Sequence, residues 1–298
     1  MKPFLSLWRL WLALAMLPVG LVVLCSGTSF LPGVGLPTCC VLFALSMSGL
    51  CCHLRWVPRF VAHTRCFRTE RRPGVVLHYD PQLQRYCDLP ALVEQVCAAK
   101  GDFEKKFGFV LRRVVVFLLD GQEPIRRALG RPAGGFAIVQ CGAIVISRAG
   151  NLKESVRHEL AHLFSVHWSG TAPPLFGEGL PVWLQGGYYG MHVDDAARRV
   201  LRRWRPRLSS LRKQKVFFGE QHCDDCYILA GSFTGFLIRR YGWAAYRRFY
   251  RKSHALNFNG CFRKVFGVSF GKAEWQWRTE LDVMAALASR VRRTAFQE

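Results

Sequence analysis

"SVRHELAHLF", Ser155 to Phe164, decides how this chain is read. His158 and His162 stand four residues apart, with Glu159 between them. On an α-helix that spacing turns both imidazoles to one side, so that they can share a metal ion while the carboxylate faces a water next to it. Two imidazoles do not complete a catalytic zinc site, which uses three protein donors and keeps the fourth position open. A third histidine six residues after His162 would be one solution, but Trp168 stands there and His167 is one position off. The other solution is a glutamate on the next helix, and "PPLFGEGLPVWLQG" offers Glu178 at its start.

The surroundings of this helix predict an α+β domain. "GVVLHY" reads as a short strand, and Asp88 caps an amphipathic helix with Pro90 in its first turn. "RRVVVFLL" is a β-branched strand, and "GGFAIVQCGAIVISRAG" gives two strands joined by a tight turn near Cys141-Gly142. Asn151 then caps the helix of His158, with Glu154 three residues on as a variant capping box. From Glu178 onward the pattern is mostly helical, including a helix from Asp224 to Tyr241, one across "WAAYRRFYRK" and a last one near "KAEWQWRTELDVMAAL". Strands come first and helices after.

These boxes, in the order "RHELAHLF", "PPLFGEGLPVWL", "YILAGSFTGFLIRRYGWAAYRRFY" and "FRKVFGVSFGKAEWQW", resemble the bacterial peptidase-MA-like gluzincin metallopeptidases. The similarity runs from about Gly74 to Leu281, and the first two boxes carry most of it. It implies a zincin-like domain with a small mixed sheet and a helical C-terminal half, holding one catalytic Zn2+ through His158, His162 and Glu178. It also implies Glu159 as general base for peptide-bond hydrolysis, and Tyr227 as donor to the developing oxyanion; a core tyrosine would look the same in sequence. Pro181 departs from the alanine usual after EGL, a change harmless in the first turn of a helix. The strand "AIVIS" is expected at a sheet edge beside the site, where an extended polypeptide substrate can pair with it.

The N-terminal part carries a separate expectation. Between Trp11 and Cys52 there is no charged residue, and two apolar stretches, residues 4–25 and 35–53, are each long enough to cross a bilayer. With arginines after the second stretch, they predict a transmembrane hairpin over residues 1–56 in the inner (cytoplasmic) membrane, multi-pass, with the catalytic domain cytoplasmic. Residues 57–73 then read as a basic juxtamembrane linker and residues 74–298 as the metallopeptidase domain. Twelve cysteines, five of them in the apolar stretches, suit free thiols in a reducing compartment.

The formal net charge of +22 is concentrated, with nine basic and no acidic residues from Arg198 to Lys215. Such faces suit membrane lipids of the cytoplasmic leaflet; no helix-turn-helix, RNP or paired zinc-finger signature supports nucleic acid. "HCDDC", His222 to Cys226, holds one CxxC pair without the second pair a structural zinc needs. An inactive scaffold or binding protein on the same fold, offering its basic surface to lipid or nucleic acid, is the alternative to an enzyme. It would be expected to lose Glu159 or a ligand, and all four residues are present.

Overall fold

The computed structural model describes residues 63–129, 133–169, 172–253 and 257–295. Five strands form one mixed sheet: β1 (Arg68–Arg72), β2 (Val75–Tyr79), β3 (Val114–Leu119), β4 (Gly135–Ile138) and β5 (Ala143–Ser147), in the order β1-β2-β3-β5-β4. The β2–β3 and β3–β5 pairs are parallel, while β1 and β4 run antiparallel at the two edges. Helix α1 (Leu89–Phe107) makes the crossover from β2 to β3. Asp88 Oδ1 accepts the Ala91 N–H at 3.0 Å at its start, and Gly108 ends it in the left-handed region at φ 77°.

Every residue of β3 is buried, because both faces of the sheet are covered. Val114, Val116 and Leu118 face the main core; Val115, Phe117 and Leu119 join a smaller cluster with Ile125 of the short helix α2 (Glu123–Leu129). A strand covered on both sides is expected to be an unbroken apolar run.

Helix α3 (Leu152–Ser165) follows β5 and packs on α1 through Phe164, whose ring lies 5.7 Å from Phe103 and 5.3 Å from Phe107. Truncating so buried a phenylalanine costs about 3–5 kcal/mol. The chain continues through α4 (Pro174–Gly177), α5 (Gly179–Gln185), α6 (Val193–Arg203), α7 (Gln214–Phe217), α8 (Cys223–Tyr241), α9 (Trp243–Lys252), α10 (Phe258–Phe266) and α11 (Phe270–Ala295). Helix α8 is the hub of this half: α5 and α6 both pack against it, and Trp277 of α11 donates its indole N–H to Ser232 within it at 3.0 Å.

Three expectations are corrected. First, among the described residues no helix is long and apolar enough to cross a membrane, so none of them supplies the expected transmembrane hairpin or supports the multi-pass inner-membrane placement. Helices α1 and α11 carry charges along their length and bury one face in the core, whereas α8 has charges only near its two ends and is buried on all sides from Ile228 to Ile238. The apolar stretches behind that expectation, residues 4–25 and 35–53, lie outside the described residues.

Second, the segment read as a linker contributes β1, "RTERR", which pairs with β2 from Arg68 opposite Tyr79 to Arg72 opposite Val75. An edge strand tolerates charges on both faces, so it lacks the alternation that would announce it.

Third, "AIVIS" is β5, an interior strand between β3 and β4, and the edge beside the site is β4, "GFAI". Complete burial of β5 follows from that position.

Candidate metal centre

Helix α3 opens as its sequence predicts, with Asn151 Oδ1 accepting the Glu154 N–H at 3.2 Å. Two turns on, His158 and His162 project together, ring centroids 5.0 Å apart. Glu178 caps the start of α5 and comes back to the same point. Its Oε2 lies 3.4 Å from His158 Nε2 and 3.3 Å from His162 Nε2, and the two Nε2 atoms are 3.3 Å apart. The three donors thus form a nearly equilateral triangle.

That triangle is a test of fit. Ligand bonds of about 2.0–2.1 Å in a tetrahedron put donors about 3.3–3.4 Å apart. The observed sides match all three edges, and the donor set of two imidazoles and one carboxylate is one that zinc accepts. A carboxylate and two imidazole nitrogens crowded together also demand positive charge between them. Burial works to raise the Glu178 pKa, but the facing imidazoles of His162 and His158 outweigh it and hold the carboxyl far below the ordinary range.

The histidine nearest the cleft is oriented from behind. Gln185, the last residue of α5, donates its Nε2 to the Gly187 carbonyl, which turns Oε1 toward His158. His158 Nδ1 therefore donates to that oxygen at 2.8 Å, leaving Nε2 as the lone pair that faces Glu178. Next to it, Arg157 Nε donates to the Leu184 carbonyl at 3.0 Å. Two consecutive residues of α3 thereby grip the end of the helix that Glu178 begins.

The close approach of α5 to α8 fixes Glu178 from the other side. A Cβ on Gly179 would stand 2.6 Å from the Ala230 carbonyl oxygen and from Thr234 Oγ1. Gly231 of α8 receives Val182 and Gly235 receives Trp183 in the same way. Pro181 lies in the first turn of α5, where the first helical bond is Val182 N–H to Glu178 C=O at 3.0 Å, so its missing N–H leaves nothing unpaired.

Glu159 is 6% exposed and packs between α3 and the edge strand β4. A Cβ on Gly135 would meet Glu159 Oε1 at 3.0 Å and the Val145 carbonyl at 2.6 Å, so only glycine leaves room for the carboxylate there. Tyr227, in the first turns of α8, holds its ring 6.0 Å from that of His158 and packs on Phe217 at 5.2 Å. It is half-buried and lines a cleft of about 340 Å³ together with His158. Of the five predicted residues, His158, His162 and Glu178 meet at one point and Tyr227 packs on His158, while Glu159 follows His158 on α3 and lies against Gly135.

Sequence reasoning missed Gln185, Gly135 and the further role of Glu154. Glu154 reads as the return half of a capping box, but its carboxylate instead accepts the N–H groups of Tyr189 and Gly190 at 3.0 and 2.9 Å. Cys226 is a buried thiol, and burial pushes it up to about 12.

No protein-family model matches the chain, and no curated protein matches it. Among solved structures it is similar to a functionally unknown conserved protein from Bacillus anthracis str. Ames, at 11% identity and a TM-score of 0.40 over 74% of this chain. The chain spans about half the length of that protein, 53%.

Proposed function

We infer that this chain is a zinc-dependent metallopeptidase of the gluzincin type, hydrolysing peptide bonds. The observation that carries the reading is the donor triangle of His158, His162 and Glu178, whose sides of 3.3, 3.3 and 3.4 Å suit tetrahedral zinc, with Glu159 next to His158 on α3. A zinc ion held by His158, His162 and Glu178 would supply Lewis-acid chemistry, acidifying water and polarising a carbonyl oxygen.

The remaining work belongs to the side chains. Glu159, buried against Gly135, takes a proton on its carboxylate from the attacking water and returns it to the leaving amine. Tyr227 donates its phenolic O–H to the charge that develops on the carbonyl oxygen. Strand β4 is the last strand of the described sheet, and an extended substrate backbone can lie along it. This favours a polypeptide over a small amide.

Peptide cleavage by the zinc-loaded protein, followed by mass spectrometry, tests the reading. Glu159→Gln should abolish cleavage while zinc content and thermal midpoint stay near wild type. Undiminished cleavage in that variant would remove Glu159 from the mechanism.

A further inference from the structure

After α5 the chain reverses through Tyr188, Tyr189, Gly190 and Met191. Tyr188 N–H donates to the Met191 carbonyl at 2.8 Å, and Met191 N–H to the Tyr188 carbonyl at 3.1 Å. Tyr189 and Gly190 are thus the central pair of a tight hairpin turn, with φ of 51° and 76°. Turns of this hand favour Asn-Gly, because asparagine and glycine tolerate the left-handed region. Tyr189 is the one non-glycine residue with positive φ among the described residues.

The strained residue is held from two of the helices that build the candidate site, α3 and α8. From α3, one turn before His158, the Glu154 carboxylate accepts the backbone N–H groups of Tyr189 and Gly190. From α8, three residues before Tyr227, Asp224 accepts the Tyr188 phenol at 3.2 Å and the Tyr189 phenol at 3.3 Å. A strained backbone position kept in place by its surroundings points to a use for its side chain.

The ring of Tyr189 is 68% exposed and lines the cleft with Tyr188 and Tyr227. The cleft is also lined by Gly134, Gly135, Ala149 and Gly150, which offer almost no side-chain bulk. The lining side chains of Asn151, Glu154, Gln185 and Asp224 are already hydrogen-bonded within the fold, while Gln122 and Ser155 add polar atoms at the cleft. The aromatic rings and the room left by the small residues suit a bulky apolar group, which gains the ring contacts.

We propose that this slot takes a bulky apolar or aromatic side chain of the substrate next to the scissile bond. Tyr189 is its specificity-determining residue and Glu154 the residue that positions it. The assignment deepens the metallopeptidase reading and rests on it.

The test uses the full-length, zinc-loaded chain on a random-sequence peptide library, and then on a matched pair differing only by Phe or Ala beside the cleaved bond. Wild type should prefer the Phe peptide by about tenfold or more in kcat/KM. Tyr189→Asn, which suits the left-handed backbone, should bring that ratio close to one through KM. Its zinc content should be unchanged, and its thermal midpoint should hold or rise by about 2 °C. Glu154→Gln, with one carboxylate acceptor replaced by an amide donor, should lose the same preference.

Greater stability combined with lost selectivity is not what a merely structural tyrosine would give. Equal cleavage of both peptides by wild type, or a Tyr189→Asn chain that keeps the preference, overturns this inference and leaves the metallopeptidase reading intact. Absence of cleavage anywhere in the library by zinc-loaded wild type overturns both.

Discussion

The imidazole of His158 donates from Nδ1 to Oε1 of Gln185, 2.8 Å away, across the gap between helices α3 and α5. The bond fixes the ring so that Nε2 faces His162 and Glu178. Supporting hydrogen bonds of this kind are worth about 10–100-fold in metal affinity. Gln185→Ala should therefore weaken zinc by that factor in a competition titration with a chelating dye, while the fold persists. An unchanged affinity would show that α3 alone orients the histidine.

Gly135 offers a test of how Glu159 is seated. In Gly135→Ala the new methyl meets the Val145 carbonyl at 2.6 Å and Glu159 Oε1 at 3.0 Å, so β4 must shift or the carboxylate must turn. The expected cost is about 1–3 kcal/mol of stability, together with a fall in kcat at unchanged zinc content. Wild-type melting and turnover in this variant would mean that the strand moves freely and does not set the carboxylate.

Alkaline pH should loosen the turn. Burial raises the Tyr188 pKa, and the Asp224 carboxylate facing it raises it further; Tyr189 shifts the same way. A phenol whose folded pKa lies above its unfolded value of about 10 keeps its full contribution below that pH and loses it as pH rises from there toward the folded pKa. The thermal midpoint should thus drop more steeply above pH about 10 in wild type than in Tyr188→Phe. Parallel curves for the two proteins would count against the burial of that phenol.

Gly179 tests the contact between α5 and α8. Gly179→Ala would push against the Ala230 carbonyl and Thr234, displacing the start of the helix that Glu178 caps. A lower melting midpoint and weaker zinc binding should appear together, by calorimetry and dye competition. Loss of stability with zinc affinity intact would detach the ligand from this packing.

What could be read in the sequence, and what could not, divides along the reach of the interactions. His158, Glu159 and His162 sit on one helix, so a fixed spacing places them; Glu178 follows because the next helix must begin near the last. The strands "VVVFLL" and "AIVIS" announce themselves by composition, but their order in the sheet does not, since a strand pattern carries no information about its neighbours. That is why β5 was expected at the edge that β4 occupies.

The link from Glu154 to Tyr189 spans 35 residues and ends on backbone N–H groups, which leave no mark in side-chain pattern. Gly231 and Gly235 look like ordinary helix weakeners until Val182 and Trp183 are seen against them. "RTERR" hid β1 because an edge strand need not alternate.

The most direct test of the central claim is the zinc content of the purified full-length chain, by elemental analysis without added metal, beside Glu178→Ala. The account predicts one zinc per wild-type chain and a much weaker hold in the variant. A folded wild-type chain that takes up no zinc even when zinc is supplied would contradict it, and His158, His162 and Glu178 would then be a hydrogen-bonded cluster with no metal to hold.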